Sequence, residues 1–193
     1  MQLTDLQQKK IILASKSPRR SQLLRESGFN FEIKTVDVEE IYPEDLPVRK
    51  VAAFLAELKA EAAKNMLQNG EILLTADTIV LQDDTIFGKP KDREDAVNIL
   101  KRLSGNMHEV ITGVCLVSKD KSHTFSTVSK VYFEPMSDEE IVYYIDKFEP
   151  YDKAGAYAIQ EWIGHCKISR IEGTYSNIMG LPMESVYKAL RDF

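Results

Sequence analysis

Ile11-Ile12-Leu13-Ala14-Ser15-Lys16-Ser17-Pro18-Arg19-Arg20-Ser21-Gln22-Leu23-Leu24-Arg25-Glu26-Ser27-Gly28 reads as a buried strand that turns straight into a helix. The apolar run Ile11–Ala14 predicts the strand. Ser17 is a natural N-cap, Pro18 a natural first helical residue, and Gly28 a good residue on which to leave the helix. Such a junction leaves free backbone N–H groups and the positive end of the helix dipole at a strand edge, an arrangement suited to anions. Two arginines in that first turn, Arg19 and Arg20, have the wrong sign for the dipole unless an anion joins them. Arginine forks match phosphate oxygens bidentately. A solvated basic turn has the same composition, so the stretch needs support from the rest of the chain.

Outward from this junction, strand-like and helix-like segments interleave. Phe29–Val36 alternates as a half-buried strand, and Asp37–Asp45 forms an acidic loop. A long helix starts at Pro47 with Val48, Val51, Ala52, Leu55, Leu58, Ala62 and Met66 on one face, and it ends at Asn69-Gly70. Ile72–Leu81 predicts a strand that hairpins through Gln82-Asp83-Asp84-Thr85 into Ile86-Phe87. Asp92–Leu103 is helical, Val110–Val117 and Phe125–Phe133 are hairpin arms, and Ser137-Asp138-Glu139-Glu140 is a capping box opening a helix through Phe148. Ile168–Ile171 predicts a strand, Gly173–Gly180 a glycine-punctuated loop, and Pro182 the start of a C-terminal helix with Val186, Leu190 and Phe193 apolar. Crossovers together with hairpins predict a mixed sheet of the α/β or α+β class, in a single domain spanning residues 1–193.

Composition narrows the function. Of 193 residues, 44% are hydrophobic and 28% charged, with 25 basic against 30 acidic side chains and a net charge of −5. That balance argues against general duplex binding while leaving room for a small polyanion held by a local cluster. No run approaches the roughly 18 apolar residues of a membrane span, and the N-terminus lacks the apolar core of a signal peptide, so a cytoplasmic location is expected. Cys115 and Cys166 are far apart and predict buried free thiols; with His108, His123 and His165 they show no zinc-ligand spacing.

Five further positions could carry chemistry. Asp77 interrupts the apolar run Leu73–Leu81, where an acid is expensive to bury without a partner. Either it points to the solvent face of its strand, or it sits in a polar cleft with a cation. Lys89, in Gly88-Lys89-Pro90, follows a short hairpin that could return it toward the Asp77 end of the sheet; a lone loop lysine is otherwise simply solvated. Glu39-Glu40 could supply oxygens to a hard cation such as magnesium, which takes carboxylates plus substrate phosphates. Lys59 projects from the long helix, where a surface lysine would look the same. The chain carries no Gly-Lys-Ser/Thr phosphate loop, no Gly-x-Gly-x-x-Gly fingerprint and no Gly-x-Ser-x-Gly elbow, which weakens kinase, dehydrogenase and serine-hydrolase readings.

Five motifs in order resemble the Maf family of nucleoside triphosphate pyrophosphatases: Ser15-x-Ser17-Pro18-Arg19-Arg20, Ala76-Asp77-Thr78, Gly88-Lys89-Pro90, Gly155–Gln160 and Gly173–Pro182. The resemblance covers nearly the whole chain from Ile11. It implies a fold like that of the inosine-triphosphate pyrophosphatases, a long twisted mixed sheet flanked by helices with a central cleft between two lobes. It implies a divalent metal, magnesium or manganese, and often a homodimer. By the same resemblance Asp77 matches the proton acceptor, while Ser15, Arg20, Lys59 and Lys89 match phosphate-binding positions. Glu40, with Asp77, matches a metal-binding position, although Glu39 stands beside it. Arg19, Thr78 and Gln160 resemble the branch acting on dTTP and UTP rather than on 7-methyl-GTP. One departure is Glu161, where the family usually has glycine; a side chain there crowds the base pocket or changes its charge.

The resulting expectation is hydrolysis of a pyrimidine nucleoside triphosphate to the monophosphate and pyrophosphate, with no nucleic-acid or membrane partner. A binding module that senses nucleotides without turning them over, linked to division control, is the rival from another class; it has no use for a base such as Asp77 beside its phosphates. A nucleic-acid-binding domain built on the Arg19-Arg20 turn is disfavoured by the net charge.

Overall fold

The computed structural model describes residues 6–193. The chain runs through strand β1 (Lys10–Leu13), helix α1 (Pro18–Glu26), strand β2 (Phe31–Ile33) and helix α2 (Val51–Ala63), the last flanked by short 3₁₀ turns. A hairpin of β3 (Glu71–Gln82) and β4 (Thr85–Phe87) follows, then helix α3 (Arg93–Leu103) and the long strands β5 (Met107–Val117) and β6 (Ser122–Phe133). Helix α4 (Asp138–Phe148), two 3₁₀ turns, the short helix α5 (Trp162–Cys166), strand β7 (Ile168–Glu172), the helical turn α6 (Tyr175–Ile178) and helix α7 (Met183–Arg191) complete it. The strands form one seven-stranded sheet in the order β2-β1-β3-β5-β6-β7, with β4 beside β3. Pairs β1/β2 and β1/β3 are parallel, whereas β3/β4 and β6/β7 are antiparallel. The mixed α/β class expected from the sequence is what the chain adopts.

The chain divides into two compact units. One contains residues up to Asp77, Thr112–Thr127 and Gly180–Phe193; the other contains Thr78–Ile111 and Val128–Met179. Strand β3 passes from one to the other between Asp77 and Thr78, and β5 and β6 likewise contribute to both.

In the first unit, α2 lies close to the sheet because both surfaces are small. A side-chain carbon at Gly113 would fall 2.3 Å from the Ala52 backbone, so only glycine admits that approach. Ala56, Ala60 and Ala63 join Ile12, Leu73, Cys115 and Val117 in the core. The buried Thr75 hydroxyl donates to the Ala56 carbonyl at 2.7 Å. This corrects the predicted helix face: Val51, Ala52 and Leu55 are buried as expected, but Ala62 is exposed and Leu58 and Met66 only half-buried. Close helix–sheet approach selects alanines over larger apolar residues, which apolar periodicity does not reveal.

The second unit packs α3 and α4 around Val80, Phe87, Leu100, Val131, Tyr144 and Ile163. Its helix starts are well specified. Asp92 caps α3 through the Asp95 N–H at 2.8 Å, and Ser137 with Glu140 forms the expected capping box on α4. Asp83 and Asp84 take φ of 47° and 61°, the left-handed turn that suits the twist of a tight hairpin.

Several predicted elements differ. Strand β2 is three residues long and Ile33 is 51% exposed, because β2 lies at the sheet edge. The Gly173–Gly180 loop contains the helical turn α6, capped by the Thr174 hydroxyl accepting from the Asn177 N–H. Both cysteines are free, but only Cys115 is buried; Cys166 ends α5, whose buried residue is Ile163. Among the described residues no helix is long and apolar enough to cross a membrane.

Candidate active site

In the first unit, Leu13 ends β1 and α1 begins at Pro18. Ser17 occupies the N-cap position, yet its side chain makes no capping bond. Ser15 takes the structural role instead. Its Oγ accepts from the Ser17 N–H at 3.2 Å and from Arg20 Nη1 at 3.2 Å. Arg20 Nε donates to the Gly180 carbonyl at 2.8 Å, so one guanidinium joins the β1–α1 turn to the segment ahead of α7. Burial lowers the Arg20 pKa; the Asp77 charge opposes that shift, Arg19 adds to it, and Glu40 opposes it. Arginine nonetheless remains a cation. Arg19 is half-buried beside it, and no acid occupies the first turn of α1.

Asp77, only 7% exposed, lies on β3 and accepts a hydrogen bond from the Lys59 ammonium. Glu40 reaches the same ammonium, with its Oε1 2.7 Å from Nζ. Of the two readings open for Asp77, the structure selects pairing with a cation over a solvent-facing position. Of the adjacent acids, Glu40 and not Glu39 makes the contact. Lys59 itself is largely covered, so the surface-lysine alternative does not hold. Two carboxylates that converge on one ammonium are all-oxygen donors able to converge on a hard cation. Among the described residues no group of three or more His, Cys, Asp or Glu side chains could hold a metal ion.

In the second unit, Thr78 is half-buried at the start of its share of β3. The β3/β4 register pairs Val80 with Phe87, which directs the chain leaving β4 back along β3 toward Thr78. Lys89 is exposed on the loop that follows, and the Gly155 N–H donates to the neighbouring Gly88 carbonyl at 3.0 Å. Gly155 has φ of 70°, and a side-chain carbon there would fall 2.8 Å from Val80 Cγ2, so glycine is required twice over. Gln160 is half-buried, and its Oε1 is fully covered with no hydrogen-bond partner. Glu161 neither lies idle nor adds an uncompensated charge. Its carboxylate accepts from the Tyr144 hydroxyl and lies 3.5 Å from Lys153 Nζ.

Tyr144 and Lys153 escape sequence reasoning for opposite reasons. Tyr144 belongs to the apolar stripe of α4, which conceals its hydroxyl. Lys153 looks like any loop lysine, although it is 8% exposed.

The Maf family, described as Maf-like protein, matches residues 10–193. The chain is 49% identical over 194 residues to a dTTP/UTP pyrophosphatase of Porphyromonas gingivalis W83, covering 99% of this chain and 98% of that protein. It is 49% identical over 185 residues to a dTTP/UTP pyrophosphatase of Flavobacterium johnsoniae, covering 96% and 95% of the two chains. Among solved structures, the Staphylococcus aureus Ham1 protein superposes with a TM-score of 0.53 over 95% of this chain and 99% of that one, at 16% identity, a likeness of fold. With a family match across nearly its whole length, the chain belongs to the Maf family.

Proposed function

We propose that the protein hydrolyses dTTP and UTP to the nucleoside monophosphate and pyrophosphate. The observation that carries this reading is Asp77, an acid almost wholly covered within an apolar strand, turned onto Lys59 beside Glu40. Burying an acid there has a cost that a merely structural position avoids. The names of the Porphyromonas and Flavobacterium relatives support the same activity.

Arg20, Arg19, Lys59 and Lys89 supply the positive charge that a triphosphate needs before it can approach carboxylates. Ser15 orients Arg20, and Arg20 presents its guanidinium to phosphate oxygens. Glu40 and Asp77 would hold magnesium or manganese, their carboxylates being the donor type such ions take. The metal, when bound, offsets charge on the phosphates and on the leaving pyrophosphate. Asp77 accepts a proton from the attacking water. The water oxygen bonds to the α-phosphorus, and the bond from that phosphorus to the bridging oxygen of pyrophosphate breaks in line with it.

The base preference rests on Gln160. Uracil and thymine present an imide N–H between two carbonyls, whereas neutral cytosine lacks that donor. Gln160 Oε1 has no hydrogen-bond partner and suits such a donor once binding uncovers it, and the amide N–H₂ suits a flanking carbonyl. Thr78 and Arg19 complete the proposed specificity set.

The test is to incubate the protein with each nucleoside triphosphate and magnesium and to measure pyrophosphate. UTP and dTTP should release it well above CTP or GTP, and excess chelator should abolish the release. Full activity in chelator removes the metal from this account.

A further inference from the structure

Gln160 sits inside a four-residue turn, Ala158–Glu161, closed by the Glu161 N–H donating to the Ala158 carbonyl at 3.1 Å. One side chain ties both ends of it. The Tyr144 oxygen accepts from the Ala158 N–H at 3.0 Å, and the Tyr144 hydroxyl donates to Glu161 Oε2. Tyr144 is itself fully buried on α4, so this anchor belongs to the core and not to a mobile surface. The other carboxylate oxygen, Oε1, faces Lys153, whose ammonium also donates to Asp152 Oδ1 at 2.7 Å. Helix α5 approaches the same turn closely at Gly164. A side-chain carbon at Gly164 would fall 1.7 Å from the Ile159 carbonyl oxygen, so only glycine admits that approach.

We infer that Glu161 is a positioning residue: clamped between Tyr144 and Lys153, its carboxylate fixes the turn that aims the Gln160 amide, and through Gln160 it sets base selectivity. Glu161 does not touch the base. One carboxylate oxygen accepts from the Tyr144 hydroxyl and the other lies 3.5 Å from Lys153 Nζ, so both are engaged away from Gln160. This resolves the departure at position 161. Where a glycine would leave Tyr144 tied to the turn only through the Ala158 N–H, Glu161 adds a second tie to Tyr144 and a contact with Lys153. A braced amide restricts which base edges it can meet, because each wrong edge leaves a covered group unpaired. The selectivity part of this inference rests on the base-reading role proposed for Gln160; the brace itself does not.

Two measurements on the full-length protein test it. The first reads the brace without substrate: the Gln160 side-chain N–H₂ signals in a nitrogen-15 spectrum, assigned by their loss in Gln160→Ala. Glu161→Ala should shift or broaden them, and Glu161→Gln, which still accepts from Tyr144, should restore most of the parent position. The second is a double-mutant cycle on UTP, dTTP and CTP. Glu161→Ala should raise KM for UTP and dTTP about tenfold while kcat and the CTP parameters hold within about twofold. In a Gln160→Ala background the same substitution should have no further effect on selectivity. Unchanged Gln160 signals in Glu161→Ala overturn the inference whatever the kinetics. An equal loss of selectivity in both backgrounds also overturns it, because Glu161 then acts independently of Gln160. If the signals respond but Gln160→Ala leaves every substrate alike, the brace stands and the base-reading role of Gln160 fails.

Discussion

The Lys59 ammonium is held by Asp77, eighteen residues further along the chain and almost wholly covered in the middle of an apolar strand. Glu40 shares that ammonium from the acidic loop. A helix lysine thus organises two acids contributed by separate segments, and most of the proposed chemistry depends on that arrangement.

Asp77→Asn keeps the shape and can still accept a hydrogen bond from Lys59, but it removes the charge and the proton acceptor. Turnover of UTP should fall about a hundredfold or more, with folding retained. Steady-state kinetics alongside a thermal melt check this. A variant that unfolds while its folded fraction keeps full activity makes Asp77 structural.

Lys59→Met tests the same pair from the other side. It leaves the Asp77 carboxylate covered with its hydrogen-bonded cation gone, which should destabilise the protein by about 1–3 kcal/mol in urea unfolding. Glu40→Gln should spare stability, since the Glu40 side chain is 45% exposed. Its effect should appear as a higher magnesium concentration for half-maximal activity.

Arg20 should act on all substrates alike, because its partners, Ser15 Oγ in the β1–α1 turn and the Gly180 carbonyl ahead of α7, are not among the base-reading residues. Arg20→Ala should depress kcat/KM for every triphosphate by a similar factor. Arg20→Lys should rescue poorly, since an ammonium keeps the charge but not the fork. Gln160→Glu should instead weaken UTP and dTTP selectively. A uniform loss in Gln160→Glu would assign that residue to the chemistry or the fold.

His108 gives the molecule a pH dependence unrelated to catalysis. Its ring is wholly buried, shares a 2.7 Å hydrogen bond with the Tyr157 hydroxyl, and has Nδ1 without a partner. Burial pushes its pKa down to about 3, against an ordinary value of about 6.5. Between those values the unfolded chain binds a proton that the folded chain does not. His108 therefore favours folding fully above about pH 6.5, and stability falls with acid by up to about 1.4 kcal/mol per pH unit from this group. The melting temperature of the parent should fall more steeply from pH 6.5 to 4.5 than that of His108→Gln. Parallel slopes would mean that His108 stays protonated in the fold.

The strand–turn–helix at Ile11–Gly28, the Asp83-Asp84 hairpin and the Ser137 capping box were legible because each rests on local backbone chemistry. Asp77 was legible as an anomaly, an acid where an apolar run makes one costly. Its partner was not, because Lys59 is paired through tertiary packing and looks on its helix like any surface lysine. Tyr144 was hidden in a helical stripe that its ring satisfies, since periodicity records burial and says nothing of a hydroxyl. The Ala56, Ala60 and Ala63 face was missed because its determinant, Gly113, lies on a distant strand.

The most direct test of the central claim is the product of a single hydrolysis in isotopically labelled water. With UTP and magnesium, attack at the α-phosphorus should yield UMP and pyrophosphate, with the label in the UMP phosphate and none in pyrophosphate. UDP with labelled orthophosphate would place the attack at the γ-phosphorus and contradict the account.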